Sequence, residues 1–206
     1  MLKYENKLWR NNLKYICGVD EVGRGPLAGP LVACAVVLDP NNLIEGLNDS
    51  KQLTAKRRKE LRKEIEKKAI SYAYHFVDVE TIDMINIYQA SKLGMLKAIE
   101  KLTIRPDYIL SDAMPLPEAF IPYEAIIKGD TLSASIAAAS IIAKEVRDDF
   151  MIEMDQLYPG YDFINNKGYP TKKHLMALQE IGITDIHRKT YKPVKDVIEK
   201  QLSFWE

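Results

Sequence analysis

Apolar residues in this chain fall into two kinds of run. Residues 16–19, 31–38, 70–79, 107–110 and 123–127 are short apolar stretches, most of them rich in β-branched or aromatic residues and bounded by turn residues or charge. Such runs predict strands. Elsewhere the apolar positions recur every three or four residues among good helix formers. Residues 54–69 carry Leu61 and Ile65 behind Thr54, an N-cap residue, and 80–102 carry Ile85, Tyr88, Leu93, Leu96 and Ile99. These segments predict helices, as do 131–157, 172–181 and 194–202. The helix over 131–157 is crowded with Ala134, Ala137, Ala138, Ala139 and Ala143, small enough to lie close on a sheet. Residues 1–13 read as a short helix or arm that docks through Leu2, Leu8, Trp9 and Leu13, and 161–170 read as loop.

The first two strands flank Gly23 to Pro30 and pair as an antiparallel hairpin. The later strands alternate with helices. The expected architecture is therefore α/β: a mixed five-stranded sheet flanked by helices, with an antiparallel meander and two parallel strands joined by helical crossovers. In such a sheet the loops beyond parallel strand ends collect functional residues.

Composition narrows the class. A chain of 206 residues with 47% hydrophobic residues fits one domain with at most a small C-terminal appendage. No apolar run approaches the ~20 residues of a membrane span, and the charged start is no secretory signal. Cys17 and Cys34 lie in strand candidates without C-x-x-C spacing and read as buried free thiols, so a cytoplasmic protein is expected. Net charge is zero, yet residues 51–68 hold nine Lys/Arg against three Glu. That run is either a solvated helix face or a phosphate-facing patch.

The chemistry sits where strands give out. Asp20 and Glu21 end the first strand, Asp112 follows the fourth, and Asp130 follows the fifth. Each has a plain alternative: a hairpin corner for Asp20-Glu21, a turn for Asp112, a helix N-cap for Asp130. G-R-G-P-L-A-G also resembles a phosphate loop, but it lacks the Lys-Ser/Thr ending, and Pro26 and Pro30 lead into a strand. Four carboxylates brought by three strand ends, without a His or Cys cluster, match a hard oxygen-ligand site. Two Mg²⁺ or Mn²⁺ ions ~4 Å apart in such a site can activate a water and stabilise the leaving oxygen of a phosphodiester.

G-V-D-E-V-G-R-G-P-L-A-G-P-L-V resembles the signature of type 2 ribonuclease H, the ribonuclease HII family. D-S-K-Q-L at 49–53, S-D-A at 111–113, K-G-D at 128–130, S-I-A-A-A-S-I-I-A-K at 135–144, K-G-Y-P-T at 167–171 and the closing I-H-R-K-T-Y-K-P-V follow in the family's order. The resemblance implies a ribonuclease H-like catalytic core over 1–158 and a small helical C-terminal segment, 159–206, that completes the substrate site. It implies hydrolysis of the RNA strand of RNA–DNA hybrids and cleavage 5′ of single ribonucleotides in duplex DNA. Asp20, Glu21, Asp112 and Asp130 would then be the catalytic metal ligands. Gly23, Arg24 and Gly25 would read the 2′-hydroxyl side of the ribonucleotide through their backbone, where the lack of a Cβ permits approach. Tyr169, otherwise an aromatic lid on the core, would pack on the next deoxyribose. Lys51, Lys128 and Lys144 would contact phosphates. No catalytic role follows for His174 or His187, for which surface capping or packing is the expectation.

Ribonuclease HIII is the nearest rival. It usually has Gly-Thr-Gly in place of Gly23-Arg24-Gly25 and an extra N-terminal domain, for which a signature starting by residue 17 leaves no room. A non-catalytic nucleic-acid-binding module is the rival of another class, disfavoured because all four carboxylates are present. A monomer without membrane association is expected. The C-terminal Q-L-S-F-W only loosely resembles a replication-clamp peptide, and an amphipathic helix end is the competing reading.

Overall fold

The computed structural model describes the backbone of residues 1–203 and the side chains of residues 1–200. The Q-L-S-F-W stretch lies outside those side chains. The elements run α1 (Lys3–Arg10), β1 (Ile16–Val22), β2 (Leu31–Val37), α2 (Ala55–Lys68), β3 (Ser71–Val77), α3 (Val79–Glu100), β4 (Tyr108–Asp112), β5 (Tyr123–Ile126), α4 (Gly129–Leu132), α5 (Ala134–Leu157), α6 (Phe163–Asn166), α7 (Lys172–Glu180) and α8 (Lys192–Ser203). Among the described residues no helix is long and apolar enough to cross a membrane.

The strands form one mixed five-stranded sheet in the order β3-β2-β1-β4-β5. β1 is its central strand, antiparallel to β2 with Asp20 opposite Cys34, and parallel to β4 with Val19 opposite Ser111. β4 pairs parallel with β5. The chain divides into two compact units. One comprises Met1–Val22, Val32–Phe76 and Ser91–Val146; the other comprises Gly23–Leu31, Val77–Ala90 and the residues from Arg147 onward.

In the first unit, Val32, Cys34 and Val36 of β2 pack with Leu61 and Ile65 of α2 and with Ala137, Ile141 and Ile142 of α5. The small residues of α5 do what their size predicts. A Cβ added at Gly18 in β1 would stand 2.0 Å from the Ser135 carbonyl carbon and 2.3 Å from the Ile136 nitrogen, so the helix backbone lies directly on the strand. Cys17 and Cys34 are buried free thiols, and burial pushes Cys17 up to about 12. On the other side of the sheet order, Leu8 joins Ile16, Leu110, Ile126 and Ile136, with Trp9 and Leu13 packed against them.

The helix predicted over 131–157 is broken. Ser133 is extended (φ −117°, ψ 128°), separating the single turn of α4 from α5. The Ser133 hydroxyl accepts from the Ile136 N–H at 3.2 Å and donates to Glu5 Oε1 at 2.6 Å. Glu5 Oε1 also accepts from the Ser135 N–H at 2.9 Å. A fully buried carboxylate from α1 thus caps α5, where the helix dipole favours negative charge. Nothing local to the helix marks this partner, which comes from a distant element. The helix over 80–102 is likewise interrupted at Asn86 (φ 67°), whose side chain accepts from the Tyr88 and Gln89 N–H groups and restarts it.

The second unit has its own core of Leu27, Ala28, Met151, Tyr161, Phe163, Leu178 and Val194. Two arginines are fully buried within it. Arg147 donates to the carbonyls of Pro30, Ala28 and Lys167, and Arg188 to those of Gly29, Arg24 and Gly23. Buried guanidinium needs its donors satisfied, and here backbone carbonyls satisfy them. The predicted loop at 161–170 contains the one-turn helix α6, which the buried Phe163 and Asn166 anchor: Asn166 Nδ2 donates to the Tyr161 carbonyl at 2.7 Å.

Candidate metal centre and recognition loop

Register explains how the first unit gathers its carboxylates. Because Val19 of β1 lies beside Ser111 of the parallel β4, the next residues, Asp20 and Asp112, follow where the pairing of these two strands stops. β5 carries the chain back beside β4, and Lys128, in the left-handed conformation (φ 58°), turns it into α4 and brings Asp130 in. The Gly129 N–H then donates to Asp112 Oδ1 at 2.7 Å. Asp20, Asp112 and Asp130 each offer a carboxylate oxygen, and these oxygens lie within 4.8 Å of one another.

The electrostatics of this cluster are unfavourable without a cation. Asp20 and Asp130 are only 5% and 6% exposed. Burial pushes the Asp20 pKa well above the carboxylate range, and the charges of Glu21 and Asp112 push it further. Asp130 is raised by burial and by Asp112 and Asp49. Lys51 approaches Asp130 Oδ2 at 4.0 Å. Burial works against its charge, but Asp49, Asp20, Asp130 and Asp112 outweigh that and raise its pKa. One exposed lysine does not neutralise three carboxylates. An all-oxygen donor set of this charge fits a hard divalent cation such as Mg²⁺ or Mn²⁺.

Glu21 is not one of the three. The Glu21 N–H donates to Asp20 Oδ1 at 2.7 Å, and its charge still reaches Asp20. Lys128 is exposed beside the turn into α4, and Lys144 is half-buried on α5. Two residues near the cluster had not been singled out. Asp49 raises Asp130, and its Oδ1 accepts from the Lys51 N–H at 2.9 Å. Ser140 holds the Ser50 hydroxyl at 2.9 Å and hydrogen-bonds to Asp20. Both lie inside the D-S-K-Q-L and S-I-A-A-A-S-I-I-A-K motifs, which were the available signal.

The basic run over 51–68 is partly consumed locally. Arg57 pairs with Glu60 at 3.3 Å, Arg62 with Glu66 at 2.8 Å and Lys68 with Glu64 at 3.2 Å, while Arg58 reaches Glu145 at 2.7 Å.

In the second unit, the Gly23-Arg24-Gly25 turn is held from behind. Arg188 donates to the Gly23 carbonyl at 2.6 Å and to the Arg24 carbonyl at 3.0 Å, and the Tyr191 hydroxyl donates to Arg24 at 2.7 Å. With these carbonyls occupied, the turn's conformation is set by its acceptors. Gly23 has φ +97°, and a Cβ there would meet Arg147 Nε at 2.4 Å, so only glycine fits. Gly25 is exposed, and a Cβ there would meet only Tyr169 Cε1, at 3.4 Å. Tyr169 is 41% exposed, an open residue rather than a lid on the core. The Leu27 N–H donates to the Gly168 carbonyl at 2.8 Å, tying the glycine-rich turn to the segment that carries Tyr169. His174 and His187 are both fully buried, so they pack rather than cap the surface.

Comparison with known proteins adds to this geometry. The family model described as Ribonuclease HII matches residues 17–194. A Ribonuclease HII of Listeria monocytogenes is 53% identical over 198 residues, covering 95% of this chain and 75% of that protein. The crystal structure of the ribonuclease H2 from Pyrococcus horikoshii OT3 aligns with a TM-score of 0.80 at 28% identity, over 90% of this chain and 98% of that one. The RNase HII in its complex with PCNA from Archaeoglobus fulgidus aligns with a TM-score of 0.75 at 27% identity, over 86% of this chain and 95% of that one.

Proposed function

The chain belongs to the ribonuclease HII family, and from that premise we propose how its residues carry out and direct ribonuclease H hydrolysis. It is a metal-dependent ribonuclease H acting on RNA–DNA hybrids. On our reading it also cuts duplex DNA on the 5′ side of a single embedded ribonucleotide, leaving 3′-hydroxyl and 5′-phosphate ends.

The observation that carries this reading is the approach of Asp20, Asp112 and Asp130 to within 4.8 Å in a nearly buried setting. Those three residues, with Glu21 beside them, would hold two divalent cations, Mg²⁺ or Mn²⁺. When bound, the cations would offset the carboxylate charge, activate an attacking water and stabilise the leaving oxygen. The protein's own part is to hold the oxygens converged. Gly129 fixes Asp112 through its N–H, and the Glu21 N–H fixes Asp20. Lys51, Lys128 and Lys144 would contact phosphates of the substrate backbone.

Gly23, Arg24 and Gly25 would read the 2′-hydroxyl through backbone atoms, since a 2′-hydroxyl is what tells RNA from DNA at one position. The helical segment 159–206 contributes Tyr169, whose exposed ring would pack on the deoxyribose after the ribonucleotide. We place the protein in the cytoplasm, working as a monomer. Docking to a replication clamp is a further part of the proposal, motivated by the PCNA complex of the Archaeoglobus protein.

Cleavage of duplex DNA carrying one ribonucleotide, with the ends mapped, tests the reading. A cut 5′ of the ribonucleotide that EDTA abolishes is expected. Products ending in 2′,3′-cyclic phosphate would overturn it, because then the 2′-hydroxyl and not water would be the nucleophile.

A further inference from the structure

Behind Tyr169 lies a line of hydrogen bonds whose direction is dictated by its two ends. His174 Nδ1 is 3.0 Å from the Tyr169 carbonyl, His174 Nε2 is 3.0 Å from His187 Nε2, and His187 Nδ1 is 2.9 Å from the Thr184 backbone nitrogen. A carbonyl only accepts, so His174 carries its proton on Nδ1 and leaves Nε2 bare. A backbone N–H only donates, so His187 Nδ1 is bare and its proton sits on Nε2. The middle bond is then satisfied in one sense: His187 Nε2–H donates to His174 Nε2. One arrangement of two neutral imidazoles satisfies all three contacts.

The surroundings leave little room for a charged alternative. Both rings are fully buried, beside the stacked rings of Tyr161 and Phe163. Burial lowers the pKa of both, and the neighbouring His174 helps take His187 down to about 4. A second proton on His174 would set two N–H groups against each other, and one on His187 would face the Thr184 N–H, with the Thr184 hydroxyl at 2.9 Å as its one acceptor.

The target of this line is well defined. The Tyr169 carbonyl accepts from the Thr171 N–H at 2.8 Å as well as from His174, so both of its lone pairs are used. The Tyr169 N–H donates to the Asn166 carbonyl at 2.9 Å, and the Thr171 hydroxyl caps α7 at the His174 N–H. The backbone of Tyr169 is therefore clamped while its ring stays open beside Gly25. We propose that His174, held in its Nδ1–H form by His187, is a positioning residue that sets the Tyr169 ring for recognition of the sugar after the ribonucleotide. This rests on the junction role given to Tyr169 above.

The test separates position from stability. An asparagine amide places its NH₂ near where Nδ1 stands, and a glutamine amide reaches to where Nε2 stands. His174→Asn keeps the donor to Tyr169 but leaves His187 Nε2–H without an acceptor. His174→Gln keeps an acceptor for His187 but drops the donor to Tyr169. We expect kcat/KM on a single embedded ribonucleotide, relative to that on a long RNA–DNA hybrid, to stay within about twofold of wild type in His174→Asn. The same ratio should fall about fivefold or more in His174→Gln, although His174→Gln is the more stable of the two in urea. Discrimination that follows stability would overturn the proposal. Tyr169→Ala is the reference. If it leaves the ratio unchanged, the junction reading fails and this inference with it. If it shifts the ratio while His174→Gln does not, this inference alone fails. Should both His174 variants fail to fold, ¹⁵N NMR of histidine-labelled wild type near pH 7 still decides. With His75 assigned apart, the Nδ1–H form for His174 and the Nε2–H form for His187 support the proposal, and the same tautomer in both overturns it.

Discussion

The Gly129 N–H donates to Asp112 Oδ1 across 2.7 Å, so the turn that delivers Asp130 also aims Asp112. Asn in place of Asp112 keeps an oxygen acceptor for that N–H and loses only the charge. Asp112→Asn and Asp20→Asn should each reduce turnover by at least about a hundredfold at saturating Mg²⁺, with circular dichroism unchanged. Without metal their thermal midpoints should equal or exceed that of wild type, because each change relieves repulsion in a buried like-charged cluster. Turnover near the wild-type rate in either variant would contradict the metal assignment.

Tyr169 should separate recognition from chemistry. Aromatic stacking in nucleic-acid binding is worth ~1–3 kcal/mol by alanine substitution, and packing on a sugar belongs toward the lower end. Tyr169→Ala should therefore reduce kcat/KM on a single embedded ribonucleotide by about tenfold, since ~1.4 kcal/mol is a factor of ten. Cleavage within a long hybrid should respond differently, because there the following sugar carries a 2′-hydroxyl. Tyr169→Phe should retain most activity on both substrates, as the ring face would make the contact.

Acid should weaken the fold through the buried histidine pair. His187 is lowered from 6.5 to about 4 in the folded protein. Above pH 6.5 neither state holds the extra proton, and the contribution to stability is whole. As pH falls from 6.5 toward 4 the unfolded chain takes up a proton that the folded chain refuses, so stability is lost across that window. The loss is on the order of 3 kcal/mol at most, at ~1.36 kcal/mol per pKa unit. Urea midpoints at pH 7.5 and pH 4.5 check it. His187→Gln, which cannot titrate but can still donate to His174, should lose less stability between the two.

Two glycines should behave in opposite ways. Gly18→Ala drives a methyl into the backbone of α5, where the nearest atom would lie 2.0 Å away. Backbone yields less readily than a side chain, and we expect more than about 4 kcal/mol of destabilisation or no soluble protein. Gly25→Ala meets only the Tyr169 ring at 3.4 Å and should leave stability within about 0.5 kcal/mol. Its effect should appear as lost cleavage, if the backbone there must approach the 2′-hydroxyl. A stable, fully active Gly25→Ala would remove that role.

What could be read from the chain alone follows from what is local. The strands announce themselves as apolar runs, and three of the carboxylates drew notice because each stands where such a run gives out. Asp20, Asp112 and Asp130 do converge. Glu21 is their neighbour by sequence alone, and its charge acts on Asp20 ahead of that of Asp112. The break at Ser133 was invisible because its cause is Glu5, from another element. Nothing local marks Arg147 and Arg188 for burial, since burial of arginine depends on which carbonyls the fold brings to it. The same holds for His174 and His187: nothing in their own neighbourhoods marks two imidazoles that meet only after the segment between them has folded back.

The pairing of β1 with β4 also orders events in time. Asp20 belongs to the opening strand, while Asp112 and Asp130 come from the later part of the chain, and the register of two parallel strands is what seats the first beside the second. Contacts between segments so far apart in sequence form slowly, because the loop between them must close before any pairing repays it. A chain still leaving the ribosome carries Asp20 and Glu21 without the other two. A partly made copy that lacks β4 therefore has no gathered carboxylates, and the cluster exists only once the sheet has closed around β1.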